Sequence, residues 1–418
     1  MSTIRIPNPA PCDGGRLDDP TPARALPGGS PPASGSKAGS EQVGDSPVGS
    51  PLAGDSSAGS ERAGDSFAGV SVSGSTRVGS LPADSADLKD SDASLHDRFG
   101  RRMDYLRLSV TDRCNLRCTY CMPREGIDCV DRSEVLTWEE MYALCRLLTD
   151  CGLRKIRLTG GEPLVRSGVV GFLARLRDLP GPPERLLTTN ATLLDQHLDG
   201  LTEAGVTRIN VSLDSLRRDG YRSLTGRDLL EAAWRGIDAA ADRGFSIKLN
   251  VVVITGVNAG EIADFVALTK DRDWTVRFIE AMPFDGLGGN PGDLLDGESI
   301  LERIRDKFPI VRAEQEPMAV EETYRVPGYP GRIGLIRGHT RTFCGRCSRL
   351  RINAVGQMRT CLYAEPSLDL RELLRAGTPA EEIRRRIIEA VRDRHWDGWA
   401  AQEATEGRDA CSMSRIGG

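Results

Sequence analysis

No run of 18 apolar residues occurs in the 418-residue chain, so the sequence holds no obvious transmembrane helix. The first residues lack a basic stretch followed by an apolar one, which speaks against a secretory leader. An excess of positive charge is missing too. Fifty-five Lys and Arg face 60 Asp and Glu, for a net charge of −5, and no general basic field invites a nucleic acid. Without a G-x4-G-K-[ST] loop, a nucleotide would not be held as P-loop proteins hold it. Histidine is scarce, at four residues. The expectation is a soluble cytoplasmic protein with no membrane or nucleic-acid partner and room for two or more domains.

Glycine, serine and proline are plentiful near the N-terminus. Residues 31–80 hold 27 of them in 50 positions, with one aromatic, Phe67. A degenerate ten-residue repeat runs through Gly44-Asp45-Ser46, Gly54-Asp55-Ser56 and Gly64-Asp65-Ser66. Such a composition cannot bury enough apolar surface to offset its chain entropy, so residues 1–97 are expected to form a disordered extension.

Beyond it the pattern changes. Short apolar runs at Tyr105–Val110, Lys155–Leu158, Arg185–Thr188, Arg208–Ser212, Ser246–Val253 and Val276–Glu280 alternate with amphipathic stretches. Thr137-x-x-Glu140 is a capping box for a helix through Leu148 that Gly152 ends, and Asn258 with Glu261 is expected to cap another. Six strand–helix units in order imply an α/β fold with a parallel sheet and right-handed crossovers. The apolar runs suggest strands buried on both faces. Six units fall short of the eight in a closed barrel, so a partial, open (βα)6 TIM-like barrel is expected over residues 98–282. A smaller C-terminal domain is expected over 283–418.

Eleven cysteines, two groups of them at ligand spacings, suit a reducing compartment better than a disulfide framework. Cys114, Cys118 and Cys121 read C-N-L-R-C-T-Y-C. A cubane iron–sulfur cluster normally takes four thiolates, so three leave one iron open to oxygen and nitrogen ligands. A zinc site usually closes with a fourth Cys or His, and His96 and His197 are badly placed to do so. A second triplet follows at Cys344, Cys347 and Cys361; taken alone it fits zinc or a cluster, with His339 and Cys411 as candidate fourth ligands.

Charged residues also interrupt apolar strands: Arg107 in Y-L-R-L-S-V, Arg157 in I-R-L and Lys248 in I-K-L-N-V. Arg349 and Arg351 share one face if R-L-R is a strand. These cations either converge on a polyphosphate, which arginine forks suit, or pair internally. Ligands of parallel sheets bind at the strand carboxyl ends, where the Gly160-Gly161-Glu162 loop, Thr188, Ser212 and Met282 fall. There the glycines allow a close backbone approach, and Glu162 is expected to supply acceptors to a ligand ammonium.

The cysteine loop resembles that of the radical S-adenosylmethionine (SAM) enzymes. With R-L-T-G-G-E-P-L-V-R, I-N-V-S-L-D-S-L, K-L-N-V-V, R-F-I-E-A-M, F-C-G-R-C-S-R-L-R and the terminal I-G-G, the chain from about Tyr105 to Gly418 resembles the GTP 3′,8-cyclases of molybdenum cofactor biosynthesis. The resemblance implies two [4Fe–4S] clusters. One is held by Cys114, Cys118 and Cys121 and binds SAM, with Tyr120, Gly161, Ser212 and Met282 as SAM contacts. The other is held by Cys344, Cys347 and Cys361 in an iron–sulfur C-terminal domain and meets the substrate. Arg107, Arg157, Thr188, Lys248, Arg349, Leu350 and Arg351 are implied GTP contacts. Gly417 and Gly418 are implied to enter the active site and orient Arg349 for its part in the reaction. Implied partners are a low-potential electron donor, a second copy in a homodimer, and a downstream cyclic pyranopterin monophosphate synthase. One departure is Ala191, where the family usually has glycine after T-T-N. A radical SAM peptide maturase and a non-enzymatic metal-binding regulator are the rival readings; the first usually shows a longer cysteine array, and the second leaves the glycine loop and strand cations unexplained.

Overall fold

A computed structural model of the chain describes residues 94–121, 129–282, 294–315, 319–405 and 413–416. Residues 1–93 of the expected extension lie outside the described residues. Packing begins ahead of residue 98: Leu95 is buried in the apolar core, and its carbonyl accepts a hydrogen bond from Met103 N at 2.7 Å.

All six expected strands form: β1 (Tyr105–Ser109), β2 (Lys155–Thr159), β3 (Glu184–Thr189), β4 (Arg208–Ser212), β5 (Ser246–Val253) and β6 (Thr275–Glu280). They pair in sequence order, all parallel. Helices between them include α1 (Trp138–Asp150), α2 (Val169–Arg175), α3 (Leu198–Glu203), α4 (Arg218–Thr225), α5 (Leu230–Asp242) and α6 (Ile262–Ala267). Helix α1 opens on the expected capping box, with Thr137 Oγ1 accepting from Glu140 N and Glu140 Oε2 accepting from Thr137 N.

The segment after residue 283 does not stand apart from this sheet. After α7 (Gly297–Arg305) it supplies β7 (Val311–Arg312), β8 (Glu322–Arg325) and β9 (Arg332–Ile336), then β10 (Arg349–Ile352), β11 (Gln357–Arg359) and β12 (Leu368–Asp369). Strand β9 adds to β6 and β10 adds to β1, both parallel, so one 12-stranded sheet runs β12-β11-β10-β1-β2-β3-β4-β5-β6-β9-β8-β7. Helices α8 (Leu370–Arg375), α9 (Ala380–Arg392), α10 (Gly398–Glu403) and α11 (Met413–Ile416) complete the described chain. Among the described residues no helix is long and apolar enough to cross a membrane.

Two expectations are corrected. The strands are not apolar on both faces. Leu106, Leu108, Ile156, Leu158, Leu249 and Val251 are buried in the core, whereas their neighbours Arg107, Arg157, Lys248 and Asn250 line a cavity. Alternation of this kind follows from the two-residue period of a strand when one face is packed and the other receives a polar ligand. Asn258 is no helix cap either. Its amide donates to the carbonyls of Asp214 and Val252 and accepts from Ile254 N, while Glu261 is taken by Ser215 Oγ and Leu216 N. This buried polar network pins the exits of β4 and β5 to each other.

Candidate active site

The polar face of the sheet lines a cavity of about 670 Å³. Parallel pairing stacks its side chains in rows. Arg349 of β10, Tyr105 of β1 and Lys155 of β2 are in register, as are Arg351, Arg107 and Arg157. Thr188, Asn210, Lys248 and Thr275 form a third row, and Ser212, Asn250 and Arg277 a fourth. All of these residues border the cavity.

Both cysteine triplets border it as well. The first sits in the loop that leaves β1. That loop is fastened to α4 by Arg117 N donating to Thr225 O and Thr119 N to Leu224 O, and it turns where Cys121 N donates to Cys118 O. Cys347 lies two residues before β10, which is parallel to β1, so the second triplet belongs to the opposite strand end. Cys361, two residues beyond the antiparallel β11, returns to that same end. The five residues of β1 span about 17 Å, which sets the scale of the separation.

The two thiol sets differ electrostatically. Burial pushes Cys114 up to about 11, Cys121 up to about 12 and Cys118 well above its ordinary value, with mutual repulsion adding at Cys118 and Cys121. Such thiols release their protons to solvent when a bound cation compensates the desolvation of the thiolate. At Cys347 burial also acts upward, but Arg349 and Arg394 outweigh it and bring the thiol down to about 6. Arg394 Nη1 further donates to the Cys347 carbonyl at 2.8 Å. Three cysteines on one short loop, as at Cys114, Cys118 and Cys121, suit an iron–sulfur cluster, in which each thiolate binds its own iron.

The Gly160-Gly161 loop runs close against the cysteine loop. Gly161 N donates to Thr111 O at 2.8 Å, and a Cβ on Gly161 would collide with the Arg113 carbonyl. Glu162 borders the cavity, and its oxygens accept from Thr189 Oγ1 at 2.8 Å, Asn190 N at 2.7 Å and Leu164 N at 3.0 Å, so it also joins the β2 and β3 exits. Burial raises it to about 7. Tyr120 donates its hydroxyl to Asp214 Oδ2 at 2.6 Å, and Asp214 Oδ1 accepts from Val252 N. Met282 lines the cavity against Gly338, and Ser212, the last residue of β4, borders the same cavity. Ala191 adopts φ 63°, the left-handed conformation that favours glycine.

The expected substrate residues Arg107, Arg157, Thr188, Lys248, Arg349 and Arg351 all reach the cavity. Leu350 points its side chain the other way, into the core. Gly417 and Gly418 lie outside the described residues; nearby Met413 borders the cavity and Ile416 is buried. Several cavity atoms are buried and lack a hydrogen-bond partner among the described residues: Arg107 Nε, Thr188 Oγ1, Asn210 Oδ1, Asn250 Oδ1, Arg349 Nε, and Arg277 Nε and Nη2. Buried polar atoms normally find partners, so these await a polar ligand.

Sequence reasoning missed Tyr105, Lys155, Arg277 and Glu321. Tyr105 accepts from Arg157 Nε at 2.5 Å. Burial alone would raise its phenol, but Arg157, Arg107 and Arg349 bring it down to about 8. Arg277 interrupts the apolar run of β6 as Arg107 interrupts β1, a signal that was legible. Glu321 accepts from Lys248 Nζ at 2.7 Å and from Arg277 Nη1 at 3.0 Å, so Lys248 is ion-paired as well as cavity-lining. Nothing in the sequence near Glu321 marks it.

Known proteins share this arrangement in sequence. The family described as Radical SAM superfamily matches residues 108–269, and Molybdenum Cofactor Synthesis C matches residues 274–398. A GTP 3′,8-cyclase of Geobacter sulfurreducens is 43% identical over 328 residues, covering 78% of this chain and 99% of its own length. One from Pelotomaculum thermopropionicum is 41% identical over 333 residues, covering 78% and 100%. Molybdenum cofactor biosynthesis protein 1 of Bos taurus is 42% identical over 301 residues, which is 72% of this chain and 48% of the relative.

Proposed function

The chain belongs to the GTP 3′,8-cyclase family, and from that membership we propose that it converts GTP to (8S)-3′,8-cyclo-7,8-dihydro-GTP, the first step of molybdenum cofactor synthesis. The observation that carries the reading is a single cavity bordered by two cysteine triplets and, between them, by rows of strand-borne cations. A trianionic or tetra-anionic tail fits that lining, and neither rival reading calls for it.

Cys114, Cys118 and Cys121 would hold one [4Fe–4S] cluster, and Cys344, Cys347 and Cys361 a second. With SAM bound at the first, that cluster would supply the one-electron reductive cleavage of SAM whose radical removes a hydrogen atom from C3′ of GTP. The rest falls to the protein. Gly161, with Tyr120, Ser212 and Met282, would contact SAM. Tyr120, tied to Asp214, keeps the cysteine loop in register with β4 and β5. Arg107, Arg157, Lys248, Arg349 and Arg351, with Thr188, would neutralise and orient GTP so that C3′ lies against C8. Leu350 would take part through its main chain. The Gly417–Gly418 end would orient Arg349. A cytoplasmic homodimer, a low-potential electron donor and a cyclic pyranopterin monophosphate synthase that takes the product complete the reading.

The test is anaerobic turnover of cluster-loaded protein with SAM, dithionite and GTP deuterated at C3′. Deuterium is expected in 5′-deoxyadenosine together with the cyclised product. SAM cleavage without label transfer from GTP would reject the substrate.

A further inference from the structure

The carboxylate of Glu321 sits among the cations that the cavity offers to an anion. It is 8% exposed, on the segment leading into β8, and bridges Lys248 Nζ at 2.7 Å and Arg277 Nη1 at 3.0 Å. A purely structural ion pair inside a protein would saturate its partners, because unpaired buried N–H groups are costly. Arg277 is not saturated: Nε and Nη2 are buried without partners, and the residue faces the cavity. Lys248 lies in the row with Thr188 and Asn210, whose Oγ1 and Oδ1 are likewise unpartnered. Glu321 therefore satisfies one edge of a site built for more acceptor atoms than one carboxylate provides. Its two cations hold it well ionised, against the upward push of burial, at about 2. An ionised carboxylate and a polyphosphate sharing the same two cations would repel each other.

We infer that Glu321 is a specificity-determining residue: a resident anion that holds Lys248 and Arg277 in place and must be displaced by the phosphates of the incoming nucleotide. This rests on the GTP reading above. Displacement costs two charged hydrogen bonds. A ligand recovers them only by bringing several phosphate oxygens, which also reach the open Nε and Nη2 of Arg277. A nucleoside without phosphates leaves Glu321 where it is.

Isothermal titration of cluster-loaded wild-type and Glu321→Gln protein tests this with three probes: GTP, guanosine and inorganic tripolyphosphate. The Gln variant is expected to bind GTP and tripolyphosphate at least about tenfold more tightly, equivalent to about 1.4 kcal/mol, with guanosine affinity unchanged. Equal or weaker binding of both phosphate ligands would overturn the inference and make Glu321 a fixed partner of the two cations. If tripolyphosphate responds as expected but GTP fails to bind wild-type protein, the inference stands and the GTP reading falls. Should Glu321→Gln fail to fold, Glu321→Asp carries the test. It keeps the charge but retracts it by one methylene, so phosphate ligands should again tighten, by less; unchanged or weaker tripolyphosphate binding would overturn the inference.

Discussion

Cys118 and Cys347 are proposed to serve different chemistry although both are half-buried thiols bordering one cavity. Replacing Cys118 by Ala removes a ligand of the SAM-binding triplet, and both SAM cleavage and cyclisation should fall below detection. Replacing Cys347 by Ala should leave slow, uncoupled formation of 5′-deoxyadenosine and no cyclised GTP, read by chromatography of a single reaction mixture. Full cyclase activity in the Cys347→Ala protein would remove the second triplet from the reaction. The first triplet stands out by its spacing, three cysteines within eight residues, whereas the second, with Cys361 fourteen positions after Cys347, leaves zinc or a cluster open on spacing alone. At Glu162, sequence shows that a carboxylate follows two glycines but not that three donors at neighbouring strand exits also hold it. Glu321 was invisible because the pair it makes joins positions 73 and 44 residues apart in the chain.

At the scale of elements, the sequence was most informative where local chemistry decides. The Thr137–Glu140 capping box satisfies two backbone donors at the start of α1 with side chains only three residues apart, so its signature needs no tertiary knowledge. Thr137→Ala should cost about 1 kcal/mol, seen as a lower midpoint in urea, with turnover per folded protein unchanged. A change in turnover would mean that α1 is coupled to the cavity. Glu140 also pairs with Arg375 of α8 at 2.8 Å, which is why Thr137 is the cleaner probe. The strands were placed almost to the residue, yet their faces were misjudged. A run such as Y-L-R-L-S reads as apolar with one interruption, but the interruption marks the face that looks into the cavity. Asn258 shows the converse: a residue of capping type was drawn into holding β4 and β5 together.

For the whole molecule, the start of the fold can be tested directly. A protein beginning at residue 94 should retain the SAM-cleavage and cyclase rates of the full chain. One beginning at Asp97 loses Leu95, a fully buried side chain, and should be less stable by about 2–4 kcal/mol. Equal stability of the two truncations would show that Leu95 contributes nothing to the core, and a large loss of turnover in the first would assign the preceding residues a role in catalysis. That the later strands join the first six in one sheet was not legible in the sequence. Pairing of β10 with β1 joins Arg351 to Arg107, 244 positions apart (351 minus 107), and no local pattern announces such a partner.

That merger has a consequence for how the protein is made. While the chain is being synthesised, β1 and β6 are the outer strands of the six already emerged, each presenting a row of unpaired backbone groups. Their neighbours, β10 and β9, arrive only with the last third of the polypeptide. Long-range parallel pairing is intrinsically slow, so the nascent protein passes through a sticky, half-built stage before its edges are covered. The later part of the chain thus serves as the clasp that closes the sheet, and chains released before Ile352 would be left with β1 still open to adhesion.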